Sequence, residues 1–213
     1  MAQELLAPIL NDYLDRLVPE RPAEMQAMEA KARQTNFPIV GPAAGKFCYT
    51  VARMIGARRV FELGSGFGYS TAWFANAVRE NGGGTVYHVV WNEDLSRQAR
   101  QHLSALGYDD LIEYHVSEAV QALRETDGPF DLIFNDIDKK GYPAALPVIA
   151  EKLRPGGVLI VDNLLWQGRI FDPSDQDENT VGVREFTRMI TTSADWSASI
   201  VPIRDGLLVA YKK

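Results

Sequence analysis

Apolar residues recur at helical spacing early in the chain and at strand spacing from residue 59 onward. Leu5, Leu6, Ile9, Leu10, Tyr13, Leu14 and Leu17 share one face, which predicts a helix over 3–18 that Pro19 and Pro22 end. A second, less amphipathic helix is expected over Ala23–Gln34. A third is expected over Ala43–Ile55, closed by Gly56 at a C-cap position. Between them, Phe37-Pro38-Ile39-Val40-Gly41-Pro42 reads as an extended, turn-rich connection. Short apolar runs then alternate with helices. Strands are predicted at Arg59–Leu63, Thr85–Trp91, Leu111–Val116, Phe130–Asp136 and Gly157–Val161, and helices at Thr71–Glu80, Leu95–Leu106, Ser117–Glu125 and Pro143–Leu153. This alternation predicts an α/β fold with a doubly wound, mostly parallel sheet. The polar stretch Arg169–Asn179 reads as a loop and Val183–Thr191 as a helix. Ala198–Ile203 and Leu207–Tyr211 flank Arg204-Asp205-Gly206, an Asp-Gly turn of the hairpin kind that ends the sheet in an antiparallel pair. The helices within residues 1–58 read as an appendage to a core at 59–213, a single domain in all.

Composition narrows the class. A chain of 213 residues with 46% hydrophobic and 23% charged residues can bury a substantial core. Its net charge of −6 argues against a general nucleic-acid binder, which needs clustered Lys and Arg. The single cysteine, Cys48, excludes an internal disulfide and reads as a small core residue. The start lacks a basic region followed by an apolar core, and no apolar run approaches the roughly 20 residues of a membrane span. A soluble, cytoplasmic protein with no membrane partner is expected.

The candidate chemistry gathers where strands end. Gly64, Gly66 and Gly68 join an apolar strand to a helix, either as a structural turn or as a cradle for a nucleotide-like ligand. A dinucleotide fingerprint would need glycine at position 69, which is Tyr69. Glu62, on a buried strand, calls for a cationic or hydrogen-bond-donating partner. Asp136 ends the fourth strand and Asp162-Asn163 ends the fifth. If those strands are neighbours, two carboxylates and an amide oxygen converge on a site that suits Mg²⁺, Mn²⁺ or Ca²⁺ better than Zn²⁺. His88, His102 and His115 fall away from this edge and read as structural. Asp136-Ile137-Asp138-Lys139-Lys140 taken alone fits a solvated turn as well as a site. Lys139 reads either as a general base beside a cation or as a solvent-facing lysine paired with Asp138, and Lys140 is assigned to solvent.

From about Leu5 to Lys213 the chain resembles the cation-dependent, S-adenosylmethionine-using O-methyltransferases, the group holding catechol and caffeoyl-coenzyme A O-methyltransferases. The resemblance lies in Val60-Phe-Glu-Leu-Gly-Ser-Gly-Phe-Gly-Tyr-Ser, Phe134-Asn-Asp-Ile-Asp-Lys-Lys-Gly-Tyr, Leu153-Arg-Pro-Gly-Gly, Val161-Asp-Asn-Leu-Leu-Trp-Gln-Gly and the closing Asp-Gly hairpin. It implies a Rossmann-like, seven-stranded class I methyltransferase fold, a homodimer, and an enzyme that methylates a hydroxyl of a small aromatic diol. It implies that Asp136, Asp162 and Asn163 bind the divalent cation and that Lys139 is the base. Glu62, Gly64, Ser65, Gly66 and Ser70 would hold the methionine part of S-adenosylmethionine, with Ala119 near the adenine and Asp136 and Asp138 on the cofactor side. Trp166, Gln167 and Tyr142 would border the acceptor. The chain departs from the family pattern at two places. The acid that usually accepts the ribose hydroxyls falls on Val90, so Asn92, Glu93 or Asp94 would have to substitute. Ala43-Ala44-Gly45 also stands where relatives often carry an acid. Two other readings follow, a binding protein that has lost turnover and, on a related sheet, a nicotinamide-dependent dehydrogenase.

Overall fold

The structure, a computed structural model, describes residues 8–213, so the predicted helical residues 3–7, with Leu5 and Leu6, lie outside it. Three helices come first: α1 (Pro8–Leu17), α2 (Ala23–Thr35) and α3 (Gly41–Met54). The last starts two residues earlier than expected because Pro42, with its fixed φ and missing N–H, suits a first helical turn. The alternating part follows as β1 (Arg59–Leu63), α4 (Tyr69–Glu80), β2 (Thr85–Val90), α5 (Glu93–Ala105), β3 (Ile112–Val116), α6 (Ala119–Glu125), β4 (Phe130–Asn135), α7 (Tyr142–Lys152) and β5 (Leu153–Val161). The chain closes with α8 (Glu178–Thr192), β6 (Trp196–Val201) and β7 (Leu207–Lys212). β5 begins four residues before its predicted start. Leu153 pairs with Phe130, and a register shift before Leu132 absorbs the intervening Arg-Pro-Gly-Gly. The predicted loop after β5 contains a short 3₁₀ segment, Trp166–Phe171, kinked at Gln167 and Gly168, and Asp177 caps α8 through the Asn179 N–H.

The seven strands lie in the order β3-β2-β1-β4-β5-β7-β6; the first five are parallel, and β7 runs antiparallel to both neighbours. Strand order reverses between β1 and β4, where an open α/β sheet leaves a crevice at its carboxyl edge. Alternate side chains feed two cores. Val60, Leu132, Phe134 and Ile160 pack with Phe74 of α4, Cys48 and Ala52 of α3, and Met25 and Met28 of α2. On the opposite face Phe61, Ile133, Leu159 and Val161 pack with α6, α7 and α8. The N-terminal helices thus share a core with the sheet. No helix among the described residues is long and apolar enough to cross a membrane.

The β6–β7 connection differs from the expected Asp-Gly turn. Gly206 N–H donates to the Ile203 carbonyl (2.9 Å), so Arg204 and Asp205 are the two central residues. Arg204 adopts φ +51, a left-handed conformation that glycine takes easily and arginine rarely does. Gly206, also at positive φ, follows the turn and leaves room for Leu165, whose side chain would lie 2.6 Å from an added Cβ.

Candidate active site

The glycine turn between β1 and α4 holds its shape for the protein's own packing. Gly64, Gly66 and Gly68 all have positive φ, and a Cβ on Gly64 would meet the Asp136 carbonyl oxygen at 2.5 Å. Glycine there lets β1 and the end of β4 close together. Gly64, Ser65, Gly66 and Ser70 form one wall of a cavity of about 840 Å³ at the carboxyl edge of the sheet.

Just beneath that wall lies Glu62, fully buried. The Ser70, Thr71 and Ser65 hydroxyls lie close enough to favour its anion, yet neither carboxylate oxygen completes a hydrogen bond. Burial pushes its pKa up to about 7 against these hydroxyls, and the charge of Asp136 adds to the rise. An orphaned buried carboxylate of this kind fits the ammonium of an amino-acid ligand.

The two acids expected to converge do so. Asn135 of β4 pairs with Val161 of β5 and the ladder continues as Asp162 N–H donates to Asn135 (3.2 Å), while Asp136 N–H donates across to Leu63 of β1 (2.9 Å). Asp136 and Asp162 therefore leave neighbouring strands side by side. Burial and then the Asp136 charge raise Asp162 to about 7, with Arg204 opposing. Asp136 is raised as well, chiefly by burial, with Lys139 opposing. A buried carboxylate, Asp162, and a half-buried one, Asp136, repel each other and offer a place for a cation. Asn163, held at φ +62, donates its amide to Asp205 Oδ2 (3.2 Å), which leaves the amide oxygen without a partner among the described residues. Among the described residues no cluster of three or more His, Cys, Asp or Glu could hold a metal, so the available donor set is two carboxylates and an amide.

Lys139 opens a 3₁₀ turn, Lys139–Gly141, and its Nζ donates to Asp136 Oδ1 (2.8 Å) and the Ile137 carbonyl (3.3 Å). Its partner is thus Asp136, not Asp138. Lys140 pairs with Glu178 at the surface (3.2 Å). Gly182 of α8 positions this turn: a Cβ there would meet the Lys139 carbonyl oxygen at 2.5 Å and Lys140 Cα at 2.8 Å. Gly182→Ala is expected to cost about 1–3 kcal/mol by overpacking and to displace Lys139. A lowered melting temperature, together with a turnover rate that falls more than KM rises, would register both effects.

Most of the cofactor-side residues share the cavity wall: Gly64, Ser65, Gly66, Ser70, Ala119, Asp136 and Asp138, with Lys139, Asp162 and Asn163 beside them. Five predicted residues are off the wall, Glu62 beneath it as described and four others elsewhere. Asn92 is outside the wall because its side chain caps α5, accepting from Leu95 N–H (2.9 Å). Tyr142 turns inward, fully buried against Phe186, and donates to the Asp162 carbonyl (2.9 Å), so it supports the end of β5 and does not face the cavity. Trp166 is also off the wall, though its ring centroid lies 5.7 Å from Lys139 Nζ. Gln167 is exposed, its backbone N–H on Asp205 (2.6 Å). His88, His102 and His115 are off the wall too; His88 is buried against Thr71 (3.0 Å), with burial lowering its pKa to about 3.

Other wall residues escaped the sequence reading. Phe37, Ile39 and Val40 close the cavity from the connection before α3, and Arg204 reaches it from the β6–β7 turn. Val90, the position singled out in the sequence, lines it at the end of β2, and its neighbour Trp91, which was not singled out, is 78% exposed. The two prolines flanking Ile39-Val40 were the only available signal for that wall.

The sheet order and the site at its carboxyl edge define a class I methyltransferase fold, and the solved structures it resembles agree. The chain superimposes with a TM-score of 0.87 on the O-methyltransferase TomG of Streptomyces achromogenes, solved in complex with SAM, at 28% identity over 100% of this chain and 99% of that one. It superimposes with a TM-score of 0.88 on the O-methyltransferase of Bacillus cereus, solved in complex with SAH, at 27% identity over 99% and 100%. A catechol O-methyltransferase of Niastella koreensis is 28% identical over 183 residues, 82% of each chain. A profile of the O-methyltransferase family matches residues 19–213, and the chain belongs to that family.

Proposed function

We propose that this enzyme moves a methyl group from S-adenosylmethionine to one hydroxyl of a small aromatic diol, with a divalent cation held by Asp136, Asp162 and Asn163. The observation that carries the reading is the side-by-side placement of half-buried Asp136 and buried Asp162 at adjoining strand ends, with Lys139 at hand. Support for the cofactor comes from the orphaned carboxylate of Glu62 beside the glycine turn, and from the SAM and SAH bound in the two similar structures. Support for a diol comes from the relative named a catechol O-methyltransferase.

Each group then has a task. Glu62 takes the ammonium of the methionine part, with Ser65 and Ser70 around it. At the adenosine end Ala119 packs near the base, and Trp91 offers the flat face that Val90 lacks. A divalent cation, when bound, lowers the pKa of a ligated hydroxyl. Lys139, as the free amine, receives the acceptor's hydroxyl proton. The acceptor oxygen attacks the methyl carbon as the carbon–sulfur bond breaks, and its electron pair stays on sulfur. Asp138 lines the cofactor side of the cavity.

Calorimetric titration with S-adenosylmethionine, with and without Mg²⁺, tests this reading. Binding is expected for the wild type, and Trp91→Ala is expected to weaken it by about tenfold, the upper range of an aromatic contact. No binding at millimolar cofactor would overturn it. The Val90 substitution favours one other reading, a protein that binds the cofactor without turning over; binding with no methylation of any diol would select that one.

A further inference from the structure

Arg204 is a cation in the wrong place for a mere turn residue. It occupies the first central position of the Ile203–Gly206 turn at φ +51, where glycine is relaxed and arginine is strained. Its side chain lines the same cavity as Asp136, Lys139, Asp162 and Asn163. Gly41 makes room for it, since a Cβ there would touch Arg204 Cδ and Nε at 3.4 Å. Nη1 donates to the Ile39 carbonyl (2.5 Å), which ties the guanidinium to the wall formed by Pro38, Ile39 and Val40. That is its one hydrogen bond among the described residues, and it forms no salt bridge, although its charge is felt by Asp136, Asp162 and Asp205. Nε and Nη2 are left for something else.

We infer that Arg204 reads a carboxylate on the acceptor, so that the preferred substrate is an aromatic diol bearing an acidic group. This rests on the diol reading above and narrows it. The acids around the reacting end, Asp136, Asp138 and Asp162, repel an anionic acceptor, so a cation must offset them if one is to bind. A guanidinium anchored by one donor and offering others in a planar fork matches a carboxylate. The strain at φ +51 is the kind kept where a side chain is needed for more than the backbone.

The test compares 3,4-dihydroxybenzoate with catechol, using the wild type, Arg204→Gly and Arg204→Lys with S-adenosylmethionine and Mg²⁺. Glycine suits the turn, so Arg204→Gly should fold. The wild type is expected to favour the benzoate in kcat/KM by about tenfold to a hundredfold, the size of a charge-assisted hydrogen bond. Arg204→Gly should collapse that preference, mainly through KM for the benzoate, and Arg204→Lys should restore part of it. A wild type without the preference would overturn the inference. So would a glycine variant in which both acceptors fall together, which is what a purely structural tie to Ile39 predicts. Methylation of neither diol would overturn the diol reading itself. Titration of 3,4-dihydroxybenzoate with S-adenosylhomocysteine present then still decides Arg204: tighter binding to the wild type than to Arg204→Gly supports it, and equal binding rejects it.

Discussion

Asp162→Ala is expected to abolish methyl transfer to an aromatic diol, by about 10³-fold or more, while the protein stays folded. The magnitude is the several kcal/mol that a bound cation supplies to charge developing in a transition state. The folding outcome has a separate cause. Asp162 is 4% exposed and lies beside Asp136, and the two carboxylates repel across adjoining strand ends. Its side chain contributes one hydrogen bond, from Asn163 N–H (2.8 Å), while the strand pairing around it uses only backbone groups. Removing it therefore takes away a repulsive charge along with a single acceptor. A cooperative melt with an unchanged far-ultraviolet circular dichroism spectrum, together with loss of Mg²⁺ binding by calorimetry, would register both halves.

Glu62→Gln is expected to stabilise the ligand-free protein at alkaline pH and to remove cofactor binding. Folding raises the Glu62 pKa from 4.5 to about 7, mainly by burial. A raised carboxyl pKa means that the folded protein holds the proton more tightly than the unfolded chain does. Its contribution is therefore most favourable below about pH 4.5 and is lost as pH climbs to about 7. At about 1.4 kcal/mol per unit the full loss is on the order of 3 kcal/mol. Glutamine mimics the protonated form, so its advantage in thermal or urea unfolding should be absent near pH 4 and present at pH 8. The same change removes the negative charge offered to the ligand's ammonium. An enzyme tolerates an orphaned buried carboxylate where a ligand completes it, and this pair of effects has that origin.

The parts of this arrangement that depend on local order were legible in the sequence. Alternating apolar runs and helices predict the parallel sheet, and sheet connectivity brings Asp136 beside Asp162 because each is the residue just past its strand. The parts that depend on contacts between distant segments were not. Arg204 reaches the cavity through a bond to Ile39, 165 residues away, and an Asp-Gly dipeptide misdirected the turn by one residue. Gly182 gave no sign that its missing side chain makes room for Lys139. Tyr142 follows the Lys-Lys-Gly stretch closely enough to suggest a place at the acceptor, yet the first turn of α7 rotates it into the core. Asn92 had the right chemistry for a sugar hydroxyl, but an Asn just before a helix also caps it, and that use prevails here. Val90 was legible as a departure, and its neighbour Trp91 became visible as a wall residue only in the fold.

The acid pair at the ends of β4 and β5 is proposed to hold a cation needed for methyl transfer. The direct measurement is transfer of labelled methyl from S-adenosylmethionine to catechol by metal-stripped enzyme, with a chelator and after Mg²⁺ is returned. No methylated catechol is expected under chelation, and the rate should recover with Mg²⁺. Full transfer in the presence of the chelator would contradict it.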